Sequence, residues 1–324
     1  ARETLRPGRR LLVDYFLARR QGPFEAVVRP DRARKVVVEQ VLTVEEVRRL
    51  PGAQNDPMRA VQSLPGVARP GVASGALIVW GSAPVDTRVY VDGVPIPRVF
   101  HFGALRSVLN AEFLSALTFQ PGAYGAEYGR GLGGLVQLET RAPRSDRLHG
   151  SVTLDLIDGS LTLEGPLTKK LHVAAGARVS WIGALLPVFT GGGPRLSPFY
   201  YDYQVALRYQ LTSRDDLDLL VFGSGDNITT LVQDTDPVNN VDLTSRLYFA
   251  RARLRYVHRF SKDLTLTVTP SGGVDTFGLD TGVVGFSGSA LTTTTKTTTL
   301  NLRAELAGRR ALRPNLVFDG ALGL

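Results

Sequence analysis

The residues that could carry chemistry begin with a closely spaced set of glycines. Gly129, Gly131 and Gly134 fit the pattern G-x-G-x-x-G. That pattern binds a dinucleotide when a strand precedes it and a helix follows, because the phosphate then meets helix N–H groups. Residues 135–140, LVQLET, predict a strand instead. We therefore interpret these glycines as positions of close backbone packing rather than as a nucleotide site.

The histidines and the missing cysteines argue against a metal site or a nucleophile. The sequence contains four histidines, which are His101, His149, His172 and His258. They lack the short separations of metal ligands, and neither H-E-x-x-H nor G-x-S-x-G occurs. The absence of cysteine removes thiolate zinc sites, disulfides and cysteine nucleophiles together. We expect no catalytic residue, no metal site and no cofactor, and we expect that the protein is not an enzyme.

A row of arginines on one face of a predicted strand raises a further alternative, nucleic-acid binding. The row consists of Arg251, Arg253, Arg255 and Arg259. The formal net charge of +8 also permits a nucleic acid or an anionic membrane as partner. Nucleic-acid stripes usually place stacking aromatics beside the basic groups, whereas Tyr248 and Tyr256 alternate onto the opposite face. We expect no nucleic-acid partner, and the arginines either pair with acids on neighbouring strands or face a polar ligand.

The elements that position these arginines are long strands with period-two alternation. Residues 171–181, 201–211 and 246–260 alternate apolar and polar side chains, which indicates one apolar and one wet face. The segments 199–211 and 246–260 approach or exceed the roughly 9–11 residues that cross a bilayer at a tilt. Five aromatic residues near the strand ends fit either an interfacial girdle or plain packing: Trp181, Tyr200, Tyr201, Tyr209 and Phe260.

The predicted connections alternate between short and long. Short turns are expected at Leu167–Lys169, Thr212–Asp215, Ser261–Asp263 and Ala307–Pro314, and longer loops at about 184–198, 225–244 and 274–291. This rhythm is typical of an outer-membrane β-barrel. A soluble β-sandwich, acting in carbohydrate binding or adhesion, stays an alternative, although sandwich strands are usually about 5–6 residues long.

The part of the chain before these strands predicts a mixed α and β domain. Strands are expected at residues 36–38 with 41–42, 76–80, 87–91, 117–120 and 135–140. Thr43 and Glu46 have the spacing of a capping box and predict a helix through Leu50. Asp56 and Pro57 predict a second helix that continues to Leu64.

An ordered series of motifs in this first part resembles the plug domain of TonB-dependent outer-membrane receptors. The series runs VEEVRRLPG at 44–52, DPMRAVQSLPGV at 56–67, LIVWG at 77–81, VYVDGVPIP at 89–97 and FQPGAYGAEYGRGLGG at 119–134. The resemblance implies a plug inside a wide β-barrel. It also implies energised uptake of a scarce ligand, such as a siderophore–iron complex, cobalamin or a glycan, across the outer membrane of a Gram-negative bacterium.

The predicted organisation follows from the difference between the mixed α and β first part and the alternating strands of the second part. Residues 1–35 are a lead-in or the end of a small N-terminal β-sandwich, 36–145 are the plug domain, and 146–324 are the first roughly nine strands of an outer-membrane β-barrel. The fold class is therefore an α+β plug followed by antiparallel transmembrane strands. Because the last strand has no closing partner and the chain begins with Ala1, we expect a partial barrel and an excised piece of a longer protein.

The resemblance also assigns expected partners and roles to particular residues. The partners are TonB of the inner membrane, outer-membrane lipid and a small-molecule or glycan ligand. TonB contact is expected at Val36, Val37, Val38 and Val41. Ligand contact is expected in plug loops at Arg69, Ser82, His101 and Phe102. Plug–barrel contact is expected at Arg130 and Arg141.

Two further expectations concern how the plug is held and what it serves. Trp80 stands where the family usually has an arginine, so one ion pair with the barrel would be missing. The plug should be held mainly by polar and charged contacts, because apolar packing would resist movement. An outer-membrane receptor for sensing or assembly without transport stays an alternative function.

Overall fold

The computed structural model describes residues 39–323, except residues 55, 69–74, 105, 126–127, 130, 191–194, 233–239, 285–290 and 314–315. All described residues lie within the unit Val37–Leu324. The predictions made for residues 1–35, for Val36, Val37 and Val38, and for Arg69 and Arg130 therefore lie outside the described residues.

The first part of the described chain is an α+β domain, which we call the inner domain. Its elements are β1 Gln40–Thr43, α1 Val44–Arg49, α2 Pro57–Val61, β2 Val67–Ala68, β3 Ile78–Val79, β4 Arg88–Val91, β5 Val94–Pro95, β6 Leu114–Gln120 and β7 Leu135–Thr140. Short 3₁₀ turns occur at Pro84–Asp86, Phe102–Ala104 and Ala111–Phe113.

Both helices of the inner domain begin where side-chain caps satisfy their first N–H groups. Glu46 N donates to Thr43 Oγ1 at 3.3 Å, and Thr43 N donates back to Glu46 Oε2 at 2.7 Å. Asp56 Oδ1 accepts from Met58 N at 2.9 Å and from Arg59 N at 3.1 Å. The predicted capping box and the predicted Asp-Pro helix start are both confirmed. The second helix ends at Val61 rather than at Leu64.

The inner domain is built on a mixed sheet in the order β1-β6-β7-β4-β5. Neighbouring strands are antiparallel except β4 and β7, which are parallel. Side chains from this sheet and from α2 form its core, in which Met58, Val61, Phe119 and Leu138 are fully buried. The sheet thereby fixes the loop between β5 and β6, residues 96–113, on one side of the domain.

The second part of the chain is one antiparallel sheet of nine strands, which we call the wall. Its elements are β8 His149–Leu154, β9 Asp158–Pro166, β10 Leu171–Ser180, α3 Ile182–Thr190, β11 Arg195–Gln210, β12 Asp215–Val232, β13 Asn240–Arg259, β14 Leu264–Val284, β15 Leu291–Arg313 and β16 Leu316–Gly323. Each strand pairs with its neighbours in sequence, and β8 and β16 form the two edges, so the sheet is not closed.

The two faces of the wall differ as the alternation predicts. Even-numbered residues of β11 and β12, such as Asp202, Gln204, Ser224 and Asp226, are buried against the inner domain. The opposite face exposes large apolar side chains, among them Leu161, Leu163, Val179, Phe199, Tyr201, Tyr209, Leu254, Leu264, Leu300, Leu302 and Leu306. A polar inner face and an apolar outer face are the pattern of a barrel strand in lipid. The predicted fold class, with a barrel that is partial, is confirmed.

Several predicted loop boundaries are wrong, three at the long-connection end of the wall and one at the short-turn end. The segment predicted as a loop at 184–198 contains most of α3 and the start of β11, and the segments at 225–244 and 274–291 are largely strand. Strand β15 also continues through Arg313, where a turn from Ala307 was expected. The short turns at residues 167–170, 211–214 and 260–263 lie where the sequence predicts them.

Among the described residues, none of the helices combines the length and the apolar character that crossing a membrane requires.

Candidate functional site

The contact between the inner domain and the wall is centred on a carboxylate of β12. Asp226 accepts from Arg98 Nη1 at 2.5 Å, from His101 Nδ1 at 2.5 Å and from the Phe102 backbone N–H at 3.2 Å. All three donors come from the loop between β5 and β6. Three groups of this loop therefore bind Asp226, which is 5% exposed.

His101 joins this carboxylate to a second one on the next strand. Its Nε2 lies 3.1 Å from Oδ2 of Asp202, and its ring stacks on Tyr200 with centroids 4.2 Å apart. Both ring nitrogens can donate only when the imidazole carries its second proton. We call Arg98, His101, Asp202 and Asp226 the His101 clasp. Because His101 is 2% exposed, the clasp is shielded from solvent.

The His101 clasp continues as a chain of hydrogen bonds into helix α2. Arg178 of β10 donates from Nε to Asp202 at 2.7 Å and from Nη2 to the Ser107 carbonyl at 2.5 Å. Ser107 N in turn donates at 2.7 Å to Oδ2 of Asp56, the residue that caps α2. A movement of Arg178 would therefore be passed through Ser107 to Asp56, the residue that caps α2.

Arg106 connects the same loop to a fourth strand of the wall. Its Nε donates to Asp158 of β9 at 3.1 Å, and its Nη2 contacts Asp155. Asp158 also accepts from the Tyr200 hydroxyl at 2.6 Å. Tyr200 thus faces inward, 1% exposed, so it is a packing residue and not a girdle residue.

A second contact lies where the inner domain leads into the wall. Arg141 donates to both carboxylate oxygens of Glu164, at 2.6 and 2.8 Å, and the Arg144 N–H donates to the same carboxylate at 3.1 Å. A two-pronged Arg–carboxylate pair fixes orientation as well as distance. The structure thus places Arg141 against a wall acid.

A third contact involves the arginine row of β13. Arg253 Nη2 lies 3.2 Å from Asp92 of the β4–β5 turn, and Arg251 Nε donates to the Pro95 carbonyl at 3.0 Å. The other partners of the row are acids on neighbouring wall strands: Asp275 for Arg251, Asp218 for Arg255 and Asp216 for Arg259. Pairing with neighbouring strands is therefore confirmed for three of the arginines, and Arg253 pairs with the inner domain.

The interface also contains an apolar patch that the sequence analysis did not expect. Leu220, Phe222 and Phe249 on the inner face of the wall are at most 2% exposed and belong to the same core cluster as Phe119. The Phe222 and Phe249 rings meet edge to face at 6.3 Å. The inner domain is therefore held by ion pairs and by apolar packing together.

Two cavities adjoin these contacts. One of about 620 Å³ lies beside the His101 clasp and is lined by Arg98, Phe102, Asp226 and apolar residues such as Ile228 and Leu247. Burial lowers the pKa of the Arg98 guanidinium, against the opposing effect of Asp226. The other cavity, of about 520 Å³, lies beside the Asp92–Arg253 pair and is lined largely by charged and polar side chains.

The remaining predicted site residues are dispersed. Ser82 Oγ is buried near Gly133 and has no hydrogen-bond partner among the residues that the structure describes. Val41 is exposed on the edge strand β1, and Phe102 is 38% exposed beside the larger cavity. Trp80 adopts a positive φ of 48°, and its ring covers Gly66, whose missing Cβ would lie 2.4 Å from the indole nitrogen. The ligand and TonB roles assigned to these residues stay predictions.

Most acidic residues at the interface between the inner domain and the wall could not be predicted from the sequence. Alternation places Asp202 on the polar face of its strand, but Asp226 falls in a segment predicted as a loop. His101 lies more than a hundred residues from both, in a loop without periodicity. Within the described residues, no group of His, Cys, Asp and Glu side chains is arranged to hold a metal ion.

Comparison with known proteins gives this arrangement a family. Residues 33–135 match the TonB-dependent receptor plug domain. The TonB-dependent transporter Oar of Myxococcus xanthus is 28% identical over 303 residues, a match that covers 84% of this chain and 27% of Oar.

Solved structures agree on the fold. The outer membrane transporter YddB of Escherichia coli matches with a TM-score of 0.62 at 13% identity, over 88% of this chain and 47% of YddB. P. aeruginosa FpvA, in a complex with a heterologous pyoverdine and iron, matches with a TM-score of 0.59 at 15% identity, over 90% of this chain and 42% of FpvA. The chain therefore spans about a quarter of Oar and less than half of either structure.

A folded domain held by ion pairs to the inward face of an antiparallel sheet is the arrangement found in plugged β-barrels. Residues 33–135 thus form a TonB-dependent receptor plug domain, and the chain as a whole is similar to a TonB-dependent transporter. The inner domain is the plug of this chain. TonB-dependent receptors are outer-membrane proteins of Gram-negative bacteria.

Proposed function

We propose that this protein is a TonB-dependent receptor of the outer membrane that takes up a scarce ligand. The inner-membrane protein TonB supplies the energy for uptake. The observation that carries the proposal is the plug match over residues 33–135. The ion pairs between this plug and the wall support it. The ligand is a siderophore–iron complex, cobalamin or a glycan. The partner is TonB, which contacts the segment that contains Val36, Val37, Val38 and Val41.

The cavity of about 620 Å³ supports a ligand position at the long-connection end of the wall. Phe102 is partly exposed there, and Arg98 supplies a cation beside apolar side chains. Ser82, His101 and Arg69 complete the proposed ligand contacts. Because Arg98 and His101 also hold Asp226, a ligand that contacts them would compete with the His101 clasp. Arg130 and Arg141 are proposed to hold the plug to the wall.

The test is uptake in a Gram-negative host. Radiolabelled ferric siderophores, cobalamin and oligosaccharides are offered to cells that express the full protein, with and without TonB. We expect uptake of one ligand class that requires TonB. Binding without uptake in cells with functional TonB would favour sensing or assembly instead, and recovery of the protein in the soluble fraction without detergent would contradict the proposal altogether.

A further inference from the structure

Helix α3 is an apolar element at the long-connection end of the wall. It spans Ile182–Thr190 and links β10 to β11. Between Arg178 and Arg195 the sequence contains no charged residue and no histidine. Ala184, Pro187 and Val188 are exposed, and Val188 is 76% exposed. A connection in water would normally be polar, so this exposed apolar surface needs an explanation.

Trp181 ties the start of the helix to the outer face of the wall. Its Nε1 donates to the Leu156 carbonyl at 2.7 Å. Its ring covers Gly159 of β9, where a Cβ would lie 2.8 Å from the ring and 3.2 Å from Leu154 Cδ2. Leu154 and Leu156 are 77% and 66% exposed. Trp181 therefore lies among the outward apolar residues of β8 and β9.

The first turn of the helix also contacts the outer face of β11. A Cβ at Gly183 would lie 2.6 Å from the Pro198 carbonyl and 3.0 Å from Ser197 Oγ. Ser197 has the same parity along β11 as Phe199 and Tyr201, whose side chains are exposed on the outer face. The helix therefore continues the apolar outer surface of three strands rather than covering the plug.

We propose that α3 lies in the outer leaflet of the membrane, along the boundary between headgroups and acyl chains, with Ala184 and Val188 in contact with lipid. This inference rests on the proposed outer-membrane location of the wall. At about 1.5 Å per residue the helix is too short to span a bilayer, so an orientation along the boundary is the one that buries it. The indole of Trp181 suits the same depth, because tryptophan is enriched at membrane interfaces. The occupant of this surface is the lipid acyl chain, since nothing charged is present to recognise a headgroup.

Site-directed fluorescence in the full protein, reconstituted in phosphatidylcholine vesicles, tests the inference. Bimane is attached to Val188→Cys, and Ala184→Cys on the same helix face serves as a second variant if the first fails to fold. Leu254→Cys on the outer face of β13 is the lipid control, and Lys262→Cys in a short turn is the water control. Emission is measured with brominated phosphatidylcholine and with aqueous iodide.

We expect the α3 label to lose as much emission to brominated lipid as the Leu254 label and to resist iodide, which quenches the Lys262 label. If the α3 label instead behaves like the Lys262 label while the Leu254 label is quenched by lipid, the inference is wrong and the membrane location stands. If the Leu254 label is not quenched by lipid either, the membrane location fails as well.

Discussion

At the scale of single residues, Asp226 connects three groups of one plug loop to the wall. It accepts from Arg98, His101 and the Phe102 N–H, all within 3.2 Å. Removing one partner of a buried ion pair leaves the other charge without compensation, which costs about 3–5 kcal/mol. Asp226 therefore offers the sharpest test of whether the His101 clasp holds the plug.

We predict that Asp226→Asn releases the loop between β5 and β6. Protease cleavage in residues 96–113 should become faster, and the free energy of plug unfolding should fall by about 3–5 kcal/mol, because Arg98 and His101 lose their carboxylate. Asp280→Asn is the matched control, since Asp280 pairs with the largely exposed Arg246 within the wall. Such exposed pairs contribute about 0–1 kcal/mol. Equal effects of the two substitutions would contradict a holding role of the clasp.

The capping box of α1 gives a prediction about pH. Hydrogen bonds from the Thr43 N–H and hydroxyl hold the pKa of Glu46 below its usual value. A depressed folded-state pKa means that the cap stabilises α1 fully above the unfolded-state pKa and is lost as the pH falls through the folded-state pKa. Amide exchange of residues 43–50, corrected for its intrinsic pH dependence, should therefore show protection that decreases on acidification through this range.

The control for the capping box is Glu46→Gln, which keeps a hydrogen-bond acceptor but cannot titrate. Protection in this variant should not change over the same acidic range. If it decreases in parallel with the wild type, another group titrates and the Glu46 cap is not responsible.

At the scale of elements, β10 and the plug approach each other closely at Gly176. Gly176 points inward, and a Cβ there would lie 2.7 Å from Cε2 of the Phe113 ring. Phe113 is 3% exposed and belongs to the core of the plug. Position 176 therefore sets how closely this strand approaches the inner domain.

We predict that Gly176→Val destabilises the plug–wall contact by about 1–3 kcal/mol, the usual cost of overpacking. Ala177→Val, one residue further on the outward face, should leave stability nearly unchanged because Ala177 is exposed. Thermal unfolding of the two variants in detergent gives the comparison. A Gly176→Val protein as stable as the Ala177→Val protein would show that Phe113 has room to move.

The elements that the sequence predicted best are those with one apolar face. In β11 the alternation from Tyr201 to Leu211 gives both the strand and its orientation, because burial selects every second residue. The same strands continue past the apolar band, as in residues 226–232 and 276–284. There aspartate, asparagine, threonine and glycine residues interrupt the apolar ones. The sequence therefore predicts a loop where hydrogen bonding to the neighbour continues the strand.

The candidate site was less predictable than the fold. Arg141 could be assigned through a family motif, whereas Asp202 could be placed only on the polar face of its strand and Asp226 lay in a segment predicted as a loop. Their partner His101 lies in a loop whose position depends on the whole plug sheet, so no local signal connects it with them. Helix α3 was unpredictable for a different reason. Pro187 lies within an apolar run, and a proline there argues against the helix that the structure contains.

At the scale of the whole molecule, the polarity of an ordinary globular protein is reversed in the wall. Its outer face exposes leucines and aromatics, and its inner face buries Arg251, Arg253, Asp202 and Asp226. Such a distribution is typical of a sheet whose outer face meets an apolar medium. The outer face of β13 is therefore the place to test the proposed membrane location by substitution.

We predict that Leu254→Arg lowers the free energy of unfolding in vesicles by about 2–4 kcal/mol if position 254 lies near the middle of the bilayer. The neighbouring Arg255→Gln is the inward control, because Arg255 forms only a partly exposed pair with Asp218 at 3.8 Å. That loss should be about 0–1 kcal/mol. Urea titration of the reconstituted proteins measures both, and a harmless Leu254→Arg would contradict contact between this face and lipid.

The parallel pairing of β4 with β7 has a consequence for the order in which the molecule is assembled. Strand β7 lies between β6 and β4 in the sheet, yet it is the last of the five to leave the ribosome. Until Leu135–Thr140 has been synthesised, β4 and β6 lack their shared neighbour. A nascent chain that stops before β7 therefore exposes two unpaired strand edges, and the plug becomes complete just before the first strand of the wall is made.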